Sequence, residues 1–132
     1  MACGLGHNAV FLANQGFEVC AVDFSSVALA QLGSTCTAND LKMELLELDL
    51  TLQHSFTSIP KANNIVVLRY KLKMEMMEYI PKLLKKNGVF LYSTFNQQHH
   101  QETGFPSKHC LIPDELTAIP WDMKLLWGRG EL

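Results

Sequence analysis

Gly4 and Gly6 stand one residue apart in Ala2-Cys3-Gly4-Leu5-Gly6-His7-Asn8-Ala9. Glycines at that spacing form a turn whose backbone approaches a ligand closely, because a Cβ there blocks the approach or forbids the dihedrals. An acid, Asp23, follows 17 residues after Gly6. That is near the ~20 residues expected between such a turn and a ribose-binding carboxylate. Backbone at the turn and an acid for the ribose hydroxyls is the chemistry of a nucleoside site. Arg69 ends the apolar run Ile65-Val66-Val67-Leu68. Ligands of open parallel sheets bind beyond the carboxyl ends of strands, so Arg69 is a further candidate. The plainer reading of Arg69 is a solvated surface cation.

The elements that must position these groups follow from the apolar pattern. Leu5, Ala9, Leu12 and Ala13 share one helical face, and Gly16 stands where a helix-ending glycine belongs. Glu18–Phe24 reads as a short buried strand ending on Asp23. Ser25 or Ser26 is suited to cap a helix over Val27–Leu32. The polar stretch Gly33–Asp40 fits either a continuation of that helix or its end. Lys42–Leu50 has helical propensities, but turn formers on both sides favour a strand. One helical turn is expected around His54–Ser58. Ile65–Leu68 is a continuous β-branched strand bounded by Asn63-Asn64. Leu72, Met76, Tyr79, Ile80 and Leu83 follow helical spacing, with Pro81 kinking that helix or starting a new one and Asn87-Gly88 ending it. Val89–Phe95 reads as a strand, Asn96–Lys108 as a polar loop, and Trp121–Trp127 as an alternating strand. Strand and helix in alternation predict an α/β domain with a mostly parallel sheet.

The segment ACGLGHNAVFLANQGFEVCAVDFS is similar to the cofactor-binding segment of class I S-adenosylmethionine-dependent methyltransferases. Its Asn8-Ala9 pair and its Val22-Asp23-Phe24-Ser25 ending resemble most the tellurite-resistance methyltransferases and their small-molecule relatives. Leu68-Arg69-Tyr70, KKNGVFLYSTF and Leu111–Leu116 resemble later segments of the same family. Asp114 would cap the family's last helix, and Ser93 stands where relatives often carry an acid. The resemblance implies an α/β, Rossmann-like fold with flanking helices, in one domain spanning 1–132. It also implies an incomplete first strand, since the usual acid two positions before Ala2 would precede Met1. The last strand is expected to be missing, because Gly128-Arg129-Gly130 resembles a hairpin without its second arm.

The same resemblance implies S-adenosyl-L-methionine as cofactor, held by Ala2, Cys3, Gly4, Gly6, Asn8, Asp23, Phe24, Asp49, Leu50 and Arg69. Asp49 would meet the adenine amino group; the alternative is a surface Asp capping a turn with Thr51. The implied reaction is methyl transfer to a small-molecule acceptor. Its donor is already activated by the sulfonium charge, so the protein mainly aligns the partners and excludes water. No residue is singled out as catalytic. Two other readings stand beside this one. The first is a catalytically silent remnant of the fold, acting as a binding or oligomerisation module. The second is a nicotinamide dinucleotide enzyme, which leaves Asp49 and Arg69 without a role.

A net charge of −2 argues against a nucleic-acid partner. A hydrophobic content of 48% suffices for a core, while no apolar run approaches a membrane span. No secretion leader is visible. Cys3, Cys20, Cys36 and Cys110 have no metal or disulfide spacing and read as free thiols of a reducing cytoplasm. His99, His100 and His109-Cys110 do not match a zinc spacing, so no metal is expected. One of these histidines is instead a candidate acid/base or binding group in a substrate-facing loop. The three methionines Met74, Met76 and Met77 read as core filler. An incomplete sheet edge invites pairing, which makes a homodimer a candidate and leaves the oligomeric state open.

Overall fold

In the computed structural model, residues 1–117 and 123–128 are described. They fall into two compact units, Met1–Pro60 and Lys61–Leu132. The first contains α1 (His7–Asn14), β1 (Val19–Asp23), α2 (Ser26–Ala38) and β2 (Met43–Glu47), followed by a 3-10 turn at Gln53–Ser58. β1 and β2 run parallel, with Val19 opposite Met43 and Asp23 opposite Glu47. Their core joins Ala9 of α1, Ala21 of β1, and Leu32 and Cys36 of α2.

α1 starts two residues later than the apolar spacing suggests. Leu5 lies in the turn and is half exposed, while Ala9 is buried. Gly16 takes the left-handed conformation, φ 92°, that a glycine after a helix supplies at no steric cost. α2 runs straight through Gly33–Ala38. Leu29, Leu32 and Cys36 keep its buried face. The hydroxyls of Ser34, Thr35 and Thr37 donate to the carbonyls of Ala30, Gln31 and Gly33, so these polar residues are satisfied within the helix rather than ending it. Ser25 is its cap, accepting from Ala28 N at 3.1 Å. Met43–Glu47 is a strand despite its helical propensities, because pairing with β1 overrides them.

The second unit contains β3 (Ala62–Leu68), α3 (Met74–Met77), α4 (Ile80–Leu83), β4 (Leu84–Ser93) and α5 (Gln97–Thr103), then short 3-10 turns at Ser107–His109 and Glu115–Thr117. β3 and β4 are parallel from Asn64–Val89 to Leu68–Ser93, with a register irregularity before Asn64. Ile65 and Val67 of β3 are buried, as are Met76, Met77, Ile80 and Leu83. The methionines of α3 are core filler, as their spacing suggests. Pro81 sits in the first turn of α4 and divides what the sequence presents as one helix.

Three expectations are corrected by the fold. The helix does not reach Asn87: β4 already begins at Leu84, and Asn87 adopts φ 62° within it. Asn96–Lys108 is not a plain loop, because Gln97–Thr103 is a helix between two caps. Asn96 accepts from His99 N at 3.0 Å, and Gly104 ends the helix at φ 74°. Finally, Met123–Gly128 takes no regular structure, and Leu125, Leu126 and Trp127 are all exposed rather than alternating. Trp121, Asp122, Arg129 and Gly130, which complete the strand and hairpin read from the sequence, lie outside the described residues.

Candidate functional site

The glycine turn and the first acid meet at the carboxyl end of β1. Cys3 N donates to Val22 O at 3.1 Å and Gly6 N to Cys3 O at 2.9 Å, closing the turn against the strand. Gly4 N donates to Asp23 Oδ2 at 2.8 Å. The other carboxylate oxygen, Oδ1, accepts from Ser25 N at 2.9 Å. Gly4 and Gly6 both have positive φ, 53° and 79°. At Gly6 a Cβ would stand 2.5 Å from Leu32 Cδ1, so the turn also packs directly on α2. Asn8 is exposed in the first turn of α1, and Phe24, beside Asp23, is 74% exposed.

Asp49 lies two residues after β2 and is exposed, while Leu50 is buried. Asp49 Oδ1 accepts from Thr51 N at 2.9 Å and Thr51 Oγ1 at 2.7 Å. The turn with Thr51 weighed for this residue is therefore present. Both acids lie at or just past the carboxyl ends of paired parallel strands. Leu48 N donates to Asp23 O at 2.9 Å, which ties the segment after β2 to the end of β1. A shallow groove of about 240 Å³ between α1 and α2, lined by Leu5, His7, Val10, Gln31 and Thr35, includes neither acid.

Two thiols flank the turn. Burial, followed by the charge of Asp23, pushes the Cys3 thiol upward. Cys20 is pushed up to about 11, first by burial and then by the Glu44 carboxylate beside it. Both are held as neutral thiols, which suits packing rather than nucleophilic attack.

In the second unit Arg69 directly follows β3. It is exposed, at φ 57°, and its N donates to Ser93 O at 2.7 Å. The segment after β4 is held by side chains. Lys71 Nζ donates to Cys110 O at 2.9 Å and pairs with Glu115 at 3.0 Å. Gln97 Nε2 donates to Ser107 O at 3.2 Å, and Ser107 Oγ donates to Gln97 Oε1 at 2.9 Å. Tyr92 OH accepts from Leu72 N, and burial pushes its phenol upward. His100 Nδ1 lies 2.6 Å from Phe105 O; a carbonyl only accepts, so that nitrogen carries the proton. Phe95 and His99 stack at 4.3 Å, with Phe105 tilted against both. Lys71 and Gln97 were not legible in the sequence, because the backbone carbonyls they bond lie 10 to 39 residues further along the chain. Among the described residues no group of three His, Cys, Asp or Glu gathers as a metal site.

Solved structures share this architecture. A methyltransferase from Clostridium acetobutylicum ATCC 824, S-adenosylmethionine-dependent, matches 76% of the chain with a TM-score of 0.63 and 20% identity. TehB from Haemophilus influenzae matches 88% of it, with a TM-score of 0.68 and 16% identity. The fold is that of the methyltransferases. PH0226 protein from Pyrococcus horikoshii OT3 matches 77% of the chain at a TM-score of 0.60 and 19% identity. The chain spans 43%, 42% and 50% of these three proteins' own lengths. No protein-family model and no curated protein sequence matches it. The methyltransferase fold thus confirms the α/β, Rossmann-like expectation, and the likeness to TehB parallels the tellurite-resistance resemblance.

Proposed function

We propose that the chain binds S-adenosyl-L-methionine in its first unit and serves methyl transfer to a small-molecule acceptor. The observation that carries this reading is the Asp23 carboxylate 2.8 Å from Gly4 N, which sets a glycine turn and an acid at one strand end. Ala2, Cys3, Gly4, Gly6 and Asn8 would line the ligand's approach to the turn. Asp23 would accept the ribose hydroxyls on its remaining lone pairs. Phe24 would offer its exposed ring to the adenine, with Asp49 and Leu50 as further contacts.

When bound, the cofactor supplies a sulfonium-activated methyl group. The work of the residues is then to hold the adenosine and fix its orientation.

A silent binding module is the second reading. It is favoured by Phe11 and Phe17, exposed at 62% and 54%. A homodimer through a sheet edge belongs to this reading, and sedimentation tests it. No helix among the described residues is long and apolar enough to cross a membrane. Together with four unpaired cysteines, this fits the proposal of work in the cytoplasm.

Calorimetric titration decides the main point. Saturable heat with S-adenosylmethionine and S-adenosylhomocysteine is expected. No heat with either at millimolar ligand overturns the reading, and tighter binding of a nicotinamide dinucleotide replaces it.

A further inference from the structure

The Asp23 carboxylate is engaged before any ligand arrives. Its two oxygens bridge three pieces of chain: the glycine turn through Gly4 N, the end of β1 on which Asp23 stands, and the capped start of α2 through Ser25 N. The turn is also bonded to the strand by Cys3 N to Val22 O. Gly4 meets nothing within 4 Å of where a Cβ would lie. Its φ is 53°, its N is held by the carboxylate, and its O accepts from Cys3 Sγ at 3.6 Å.

We infer that Asp23 is a positioning residue for the glycine turn, in addition to the ribose-accepting role proposed above. The inference rests on that reading for its effect on the ligand, but not for its effect on the turn. Each oxygen of an ionised carboxylate accepts, so one side chain serves both amides. An Asn at this position has one accepting oxygen and an amide nitrogen that only donates. It loses one of the two bonds, at Gly4 N or at Ser25 N according to which way the amide turns, whereas an Ala accepts from neither. With Gly4 N released, the turn samples positions in which its backbone no longer presents the same surface to the ligand. Ligand parts that Asp23 never touches then bind less well.

This separates the residue's two roles by ligand chemistry. Asp23→Ala is compared with the wild type for S-adenosylhomocysteine and for an analogue lacking both ribose hydroxyls. A residue that only accepts ribose hydroxyls gives no loss with the analogue. A positioning residue gives a loss with both ligands, expected at roughly fivefold for the analogue. Equal analogue binding by the two proteins overturns the inference.

A second measurement needs neither the variant nor any ligand. In the free wild-type protein, nuclear magnetic resonance should detect a through-hydrogen-bond coupling between the Gly4 nitrogen and the Asp23 carboxylate carbon. It should also show slowed exchange of the Gly4 amide. A Gly4 amide that exchanges at the rate of an open chain, with no coupling, contradicts the inference. If the coupling is present and neither adenosyl ligand binds, the positioning role stands and the proposed function falls.

Discussion

Each unit joins two parallel strands through helical crossovers, β1 to β2 through α2 and β3 to β4 through α3 and α4, yet their carboxyl ends carry different chemistry. In the first unit the groups there are acceptors. Asp23 takes two backbone N–H groups, and Asp49 takes the amide and hydroxyl of Thr51. In the second unit donors to backbone carbonyls stand among acceptors, since Gln97 Oε1 and Asn96 Oδ1 also accept. Lys71 and Gln97 give hydrogen bonds to the carbonyls of Cys110 and Ser107, and Ser93 stands where the resemblance leads one to expect an acid. Acceptors at strand ends suit the hydroxyls of a nucleoside. Donors aimed at backbone carbonyls suit the anchoring of the next segment of chain. One architecture therefore ends in a recognition turn in one place and a tethered segment in the other.

The largest test of this contrast lies at Gly6. Gly6→Ala puts a Cβ against Leu32 at a positive φ, and should cost roughly 2–4 kcal/mol in denaturant unfolding. Gly4→Ala, in open space, should cost only the conformational part, about 1–2 kcal/mol. Equal costs would mean the turn does not pack on α2.

In the second unit, Lys71→Met removes the 2.9 Å bond to the Cys110 carbonyl, which keeps one from Gln97 Nε2 at 3.4 Å, and the ion pair of Glu115, whose side chain is 11% exposed and still accepts from Ile112 N. The expected loss is about 1–3 kcal/mol, with proteolysis appearing first between residues 104 and 117. Unchanged cleavage would show that the segment is not tethered there.

Removing the caps is a smaller test. Ser25→Ala and Asn96→Ala should each cost about 1 kcal/mol. Hydrogen exchange should place the first effect in α2 and the second in α5 alone.

The smallest effect is on pH dependence. Burial and Glu44 raise Cys20 from 9.0 to about 11, so folding favours the neutral thiol. That stability is fully present below pH 9 and is lost as pH rises from there through about 11. Thermal melts should show a decline over that window that Cys20→Ala removes. A decline unchanged in the variant assigns it elsewhere.

Much of the first unit was legible because its signals are local. Gly16 and the Ser25 cap act within a few residues. Met43–Glu47 was legible only from its flanks, since its residues prefer helix and a neighbouring strand decides. The second unit hid more. Leu84 begins β4 in a stretch of helical spacing, and α5 rests on Asn96 and Gly104, caps that a run of Gln and His disguised as loop. At the site, the residue types pointed to Gly4 and Asp23, but not to their bond. Residue types name a donor and an acceptor, whereas only the crossover through α1 brings positions 4 and 23 together.

The most direct test tracks backbone amides by nuclear magnetic resonance while S-adenosylhomocysteine is added to the wild-type protein. The account predicts that Cys3–Asn8, Asp23–Ser25 and Asp49–Thr51 shift together, saturating along one binding curve. No shift at millimolar ligand, or shifts confined to residues outside these three segments, would contradict it.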